Sequence, residues 1–278
     1  MANHPIQALR QRWRIYLIEA ALLGAFMISA SLFTLLLEHP SSPAVRAIAS
    51  EFTRRALIGV AMGATAVALI YSPWGRRSGA HMNPAVTMSN LRLGRLGGWD
   101  AVLYIAAQFA GGAAGMIVSV LITGCAIGDP AVNFVATVPG AYGVRAAWAG
   151  EFIITFLLMT TLLRVNRFPR LAPWSGYFAG ILVALYITVE APISGMSMNP
   201  ARTFASAFAG HVWTGLWVYF TAPVLGMLAA VEVQRGATRE PHHLCCKLSH
   251  CPKIPCVIRC NCTARVAHPS GHALPQPL

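Results

Sequence analysis

The chain has 278 residues, 56% of them hydrophobic and only 11% charged. A soluble domain carries about 25% charged residues, so a mean hydropathy of +0.56 leaves apolar surface that has to face lipid rather than water. The net charge of +12 forms no continuous basic patch. The arginines lie between long apolar runs, which argues against a nucleic-acid partner and for residues flanking membrane spans.

The first apolar run, from about Ile15 to Leu37, is too long for the hydrophobic region of a signal peptide and reads as a membrane span. Five more follow, at roughly 54–72, 99–123, 147–164, 174–190 and 212–233. Each is near the ~20 residues that carry a helix across the hydrocarbon. Small residues recur inside them, as in Gly111-Gly112-Ala113-Ala114-Gly115. Such residues let membrane helices approach closely, because lipid gives no hydrophobic push between helices. Two shorter segments, about 81–92 and 197–209, each carry Asn-Pro near the start. Proline suits the first turn of a helix, where its missing N–H costs nothing. These segments read as half-helices that enter the membrane and stop. The expected fold is therefore an all-α membrane protein with six transmembrane helices and two re-entrant half-helices. Residues 1–14 read as an N-terminal segment, 15–235 as the membrane unit, and 236–278 as a tail.

Charge asymmetry predicts the orientation. Arg10, Arg12 and Arg14 precede the first span, and Arg76, Arg77, Arg92 and Arg95 flank the first half-helix. Arg164, Arg167 and Arg170 follow the fourth span, and Arg235 and Arg239 follow the sixth. The opposite loops hold fewer, so both termini are expected in the cytoplasm. An even number of spans puts them on one side in any case.

The membrane unit repeats. Residues Ser78-Gly-Ala-His-Met-Asn-Pro-Ala-Val-Thr87 recur 116 positions later as Ser194-Gly-Met-Ser-Met-Asn-Pro-Ala-Arg-Thr203. Glu19 in the first span has a counterpart in Glu151, early in the fourth. The halves, about 15–123 and 147–233, hold three spans each, so they must be inverted relative to one another. Inverted repeats place the functional site at the midplane, where two broken helices meet.

The paired Asn-Pro-Ala turns, Asn83-Pro84-Ala85 and Asn199-Pro200-Ala201, resemble those of the aquaporin, or major intrinsic protein, family. The resemblance covers about residues 10–235 and includes Ala107-Gln108 with Gly111-Gly112, then Tyr219, Pro223 and Gly226. It implies six tilted spans, two half-helices and a homotetramer with one pore per subunit. The chain looks like a bacterial-type member of the cell (inner or plasma) membrane. Asn83 and Asn199 are expected to offer amide hydrogens to passing water. The paired positive helix ends, about half an elementary charge each, would repel cations and disfavour a proton wire. Asparagine is also a good helix cap, and the two roles are compatible.

An arginine inside a membrane segment is costly and points to function. By the resemblance, Arg202 belongs to the outer constriction. Ile187 and Met196 take two further filter positions by offset from Asn199. The second-span position is Met62 or Gly63, depending on a one-residue insertion at 72–77. Met62 is preferred, since it aligns Gly63 and Tyr71 with the family. Strict water channels place a histidine where Ile187 stands and an aromatic in the second span. Glycerol facilitators usually carry an aspartate after the arginine, where this chain has Thr203. The filter thus departs from both patterns, and water with small uncharged solutes is the expected cargo. A glycerol- or metalloid-type facilitator is the alternative reading, with a secondary transporter behind it. Glu19 and Glu151 are expected to accept bonds from the backbones entering the half-helices, and a proton relay is the sharper alternative. His81 is expected at the inner vestibule.

An intramembrane enzyme would need a nucleophile–base pair or a metal cluster. Glu19, Glu151, Glu190 and His81 make neither, so no catalytic residue and no cofactor is expected in the spans. The tail is different. Cys245, Cys246, His250, Cys251, Cys256, Cys260 and Cys262 are candidate ligands for a soft metal, although their spacing matches no standard finger. Palmitoylation of Cys245 or Cys246, or a tail with no fixed structure, are the competing readings.

Overall fold

Each half-helix begins where an asparagine can cap it and a proline can follow, and the rest of the fold is arranged around those two starts. The computed structural model describes residues 4–236 and 246–248. In chain order the helices are α1 (Pro5–Glu38), α2 (Pro43–Ala47), α3 (Glu51–Tyr71), α4 (Pro73–Ser78), α5 (Pro84–Arg92) and α6 (Gly98–Thr123). The second half holds α7 (Gly143–Val165), α8 (Ser175–Val189), α9 (Ala191–Ser194), α10 (Pro200–Gly210) and α11 (Leu216–Gly236). Among the described residues, six helices are long and apolar enough to cross a membrane: α1, α3, α6, α7, α8 with the short turn before it, and α11. The half-helices α5 and α10 are too short to do so.

The boundaries differ from the sequence reading in instructive places. Helix α1 starts at Pro5, not near Ile15, with His4 capping it. At 1.5 Å per residue its 34 residues run about 51 Å, well beyond the ~30 Å hydrocarbon. Its first three turns therefore project from the membrane and carry Arg10, Arg12 and Arg14. Residues 5–14 are the end of this helix rather than a separate segment. Arg12 grips Asp100 at the start of α6 with two bonds of 2.7 and 2.6 Å, and the Tyr16 hydroxyl donates to the same carboxylate at 2.7 Å. This clamp ties α1 to α6. The half-helices begin at Pro84 and Pro200, and the residues before them enter as irregular backbone.

Close helix crossings explain the small residues. Helices α1 and α6 cross so tightly that a methyl group on Gly111 would collide with the Ala20 backbone. The repeat-equivalent pair, α7 and α11, crosses at Gly226, where a methyl would meet the Phe152 carbonyl at 2.5 Å. Large apolar side chains such as Leu121, Ile122, Ile181 and Val233 stay exposed on the outer faces. In a chain with spans of this hydropathy, those faces are the ones that meet lipid.

Candidate functional site

The two segments that lead into the half-helices repeat in backbone conformation, not only in sequence. Gly79, Ala80 and Met82 have positive φ, and so do Gly195, Met196 and Met198, each 116 positions later. Four of these six residues carry a side chain, and left-handed backbone costs such a residue roughly 1–2 kcal/mol. The buried acids hold that backbone in place. Glu19 accepts from the His81 and Met82 N–H groups at 3.1 and 2.7 Å, from the Ser78 hydroxyl at 2.6 Å and from Gln108 Nε2 at 3.0 Å. Glu151 accepts from the Ser197 and Met198 N–H groups at 2.6 and 2.8 Å and from the Ser194 hydroxyl at 3.0 Å. Both acids are fully buried. Each carboxylate thereby replaces lost hydration with donors that the turn has no other way to satisfy.

Past these turns the half-helices meet at their N-termini. The Asn83 side-chain oxygen caps α5 by accepting from the Ala85 N–H at 2.9 Å. That of Asn199 caps α10 by accepting from Ala201 and Arg202 at 3.1 and 3.2 Å. One hydrogen of each amide crosses to the other repeat: Asn83 Nδ2 donates to the Met198 carbonyl and Asn199 Nδ2 to the Met82 carbonyl, both at 2.7 Å. An amide nitrogen carries two hydrogens, so each asparagine keeps one beyond this lock.

Both asparagines line an internal cavity of about 480 Å³. Met62, Ile187, Met196 and Arg202 line the same cavity, and His81 lies on it too. Of the two second-span candidates, Met62 lies on this wall, while Gly63 faces α8, where a methyl would strike the Gly180 backbone. Leu23, Val86, Leu158 and Val183 supply much of the remaining wall. The polar groups at the half-helix starts are His81, Asn83, Ser197, Asn199 and Arg202, with Thr34 and Asn133 elsewhere on the wall. Among the described residues, Arg202 Nη1 is buried and has no hydrogen-bond partner. Glu38, at the end of α1, and Glu51 and Arg55, at the start of α3, also line the cavity.

Several residues of this site were not singled out from the sequence. Gln108 is a partner of Glu19, although it drew notice only as part of a resemblance. The segment Ala131–Ala136 lies along the cavity, with left-handed backbone at Asn133, Phe134 and Val135, and the Thr137 and Thr203 hydroxyls bond at 2.8 Å. Glu190, at the end of α8, shares Ser194 with Glu151: the Ser194 oxygen is 2.8 Å from Glu190 and 3.0 Å from Glu151. A serine has one hydroxyl hydrogen, so two carboxylates cannot both receive it. Burial, with the nearby Glu151 charge adding to it and the Ser194 bond opposing, pushes the Glu190 carboxyl up to about 8. A protonated Glu190 donating to Ser194, which then donates to Glu151, pairs the three groups, while Glu190 Oε1 is buried without a partner among the described residues.

His81 bonds on both sides of its ring, Nδ1 at 3.1 Å from the Thr87 hydroxyl and Nε2 at 2.8 Å from the Cys246 carbonyl. Of the tail residues considered as metal ligands, Cys246 is described, with its side chain packed against Ile15, Tyr16 and Tyr104. Cys245, His250, Cys251, Cys256, Cys260 and Cys262 lie outside the described residues.

Comparison with known proteins agrees with this architecture. The family model described as major intrinsic protein matches residues 19–233. A probable aquaporin NIP-type of Nicotiana alata is 37% identical over 183 residues, which is 63% of each chain. The probable aquaporin AqpM of Archaeoglobus fulgidus is 38% identical over 190 residues, 66% of this chain and 76% of that one. The chain thus spans a little over six-tenths of the length of the Nicotiana relative. The aquaglyceroporin of Plasmodium falciparum superposes with a TM-score of 0.63 at 17% identity, covering 79% of this chain and 94% of that one. At that identity the likeness is one of fold. The chain belongs to the major intrinsic protein family and has its fold of six spanning helices and two half-helices.

Proposed function

We propose that the chain is a passive transmembrane channel for water and small uncharged solutes, closed to protons and ions. One observation carries the reading: both half-helix asparagines, Arg202 and the three apolar side chains Met62, Ile187 and Met196 line a single cavity. The family is one of channels rather than enzymes, and the relatives named as aquaporins support the same class.

In this account a water molecule at the midplane accepts the spare amide hydrogens of Asn83 and Asn199. Both of its lone pairs are then engaged, so it cannot accept a proton from a neighbouring water, and the chain of hydrogen bonds needed for proton hopping is broken there. The positive ends of α5 and α10 act at the same point against cations. Arg202 adds a full positive charge at the proposed constriction. Met62, Ile187 and Met196 give that constriction apolar walls with no hydrogen-bonding group of their own, which suits a solute carrying both polar and apolar surface. The chain is placed in the cell membrane with both termini cytoplasmic, following the arginine asymmetry. Assembly as a homotetramer, with one pore per subunit, follows the family reading.

Stopped-flow light scattering on proteoliposomes tests the proposal with water, glycerol, urea and boric acid in turn. The account predicts fast flux of water and of at least one of the solutes. Water alone passing would overturn the apolar-filter half of the proposal. Saturable flux that collapses with the proton gradient would instead indicate a secondary transporter.

A further inference from the structure

The chain returns to the pore after α11. Cys246, Lys247 and Leu248 lie beside His81 and Gly79, and Leu248 is itself part of the cavity wall, together with His81, Ile70 and Ala179. Three hydrogen bonds hold the backbone of this tripeptide. His81 Nε2 donates to the Cys246 carbonyl at 2.8 Å, the Leu248 N–H donates to the Gly79 carbonyl at 3.0 Å, and the Ser175 hydroxyl donates to the Leu248 carbonyl. The Cys246 side chain fills a pocket between the ends of α1 and α6, among Ile15, Tyr16, Ala101 and Tyr104. Gly79 has φ +97°, and a methyl there would come within 3.2 Å of Lys247 Cα. Glycine is therefore needed both for the turn and for the tail backbone to lie against it.

We propose that Cys246–Leu248 is a plug that closes the inner mouth of the pore, so that the tail holds the channel shut until it is displaced. The inference rests on the channel reading above and adds a regulator to it. Two features support closure over a merely structural strap. The docked carbonyl accepts from His81 Nε2, and His81 is itself part of the cavity wall. The plug also puts a leucine on the cavity wall at the mouth, and an apolar constriction in a narrow pore interrupts the water column by dewetting. The match to the family model ends at residue 233, before the plug, so the device belongs to this chain's own tail. Three docked residues make a small contact surface, which keeps the plug reversible.

The test compares the full chain with Leu248→Asp and with a form truncated after Arg239, all in proteoliposomes with channel number quantified and folding checked by thermal melting. Leu248→Asp keeps the tail and the fold while making the lumen position charged, so the test does not depend on the truncated form folding. If the plug is docked in about four channels of five, freeing it raises osmotic permeability per channel about fivefold. A synthetic peptide spanning residues 243–251 then returns the truncated form toward the full-chain value. A second readout is alkylation of Cys246, followed by peptide mass spectrometry. It is slow in the full chain and at least about tenfold faster in Leu248→Asp, because a buried thiol reacts only through opening. Equal and fast permeability in all three forms overturns the plug and leaves the channel reading standing. No water flux from any of them overturns both.

Discussion

Asn83 donates its side-chain amide to the Met198 carbonyl across a 2.7 Å hydrogen bond, and Asn199 returns the same bond to Met82. Each half-helix is therefore capped by a residue that also anchors the turn leading into the other. The two repeats are locked where their half-helices begin, and positioning the groups of the cavity becomes a joint property of both halves.

That reciprocity predicts an unequal pair of variants. Asn83→Ala removes a helix cap and leaves the Met198 carbonyl buried without its donor, a loss of about 2–4 kcal/mol from cap and orphaned acceptor together. Asn83→Ser keeps an oxygen able to cap α5 and loses only the crossing bond, so it should fall less. Thermal unfolding in detergent measures both. Equal melting of the wild type and Asn83→Ala would show that the crossing bond carries no load.

Arg202 should matter for exclusion more than for flow. Arg202→Ala removes the charge that Arg202 brings to the proposed constriction while the asparagine pair stays intact. Proton entry, followed with a pH-sensitive dye in the proteoliposome lumen, is predicted to rise above the protein-free background, with water permeability unchanged within about threefold. A variant as proton-tight as the wild type would remove the arginine from the barrier.

In the proposed filter, Ile187 sets how polar the constriction is. Ile187→His narrows it and supplies a hydrogen-bonding group, so glycerol or urea flux should drop by at least about tenfold, the equivalent of 1.4 kcal/mol. Water flux should remain within about threefold of the wild type. Unchanged solute selectivity would place the filter elsewhere along the cavity.

Glu190 gives the protein a pH-dependent term. Its carboxyl is raised to about 8, so the folded form holds this proton at pH values where the unfolded chain has released it. Stability from this group is full below the ordinary carboxylate range and falls as pH rises towards about 8, beyond which the penalty is constant. Melting temperature should decline between roughly pH 5 and 8 in the wild type, and Glu190→Gln should flatten that decline. A parallel slope in the variant would assign the dependence to another group.

The sequence showed some of this plainly and some of it not at all. Asn-Pro after an apolar span, twice in repeat-equivalent places, marks both half-helices because asparagine caps a helix and proline suits its first turn. The paired acids were legible for the same reason, each being costly in an apolar span without donors. The N-terminal turns of α1 were not, since arginines at 10, 12 and 14 look like a solvated tail when Asp100, which binds Arg12, is 88 residues away. Met62 and Gly63 differ by one register step, and only the packing of Gly63 against α8 separates them. Cys246 and Leu248 carry no periodic signal, and their partners at Gly79 and His81 belong to the other end of the chain.

The central claim is that the paired asparagines and Arg202 surround a water-filled, ion-tight path, and osmotic shrinkage with internal pH recorded on the same proteoliposomes tests it most directly. The account predicts water permeability above protein-free vesicles with weak temperature dependence, no requirement for any ion, and no change in internal pH under an imposed proton gradient, with the tail-truncated form faster still. Permeability equal to that of protein-free vesicles in both forms, or water flow accompanied by proton entry, would contradict it.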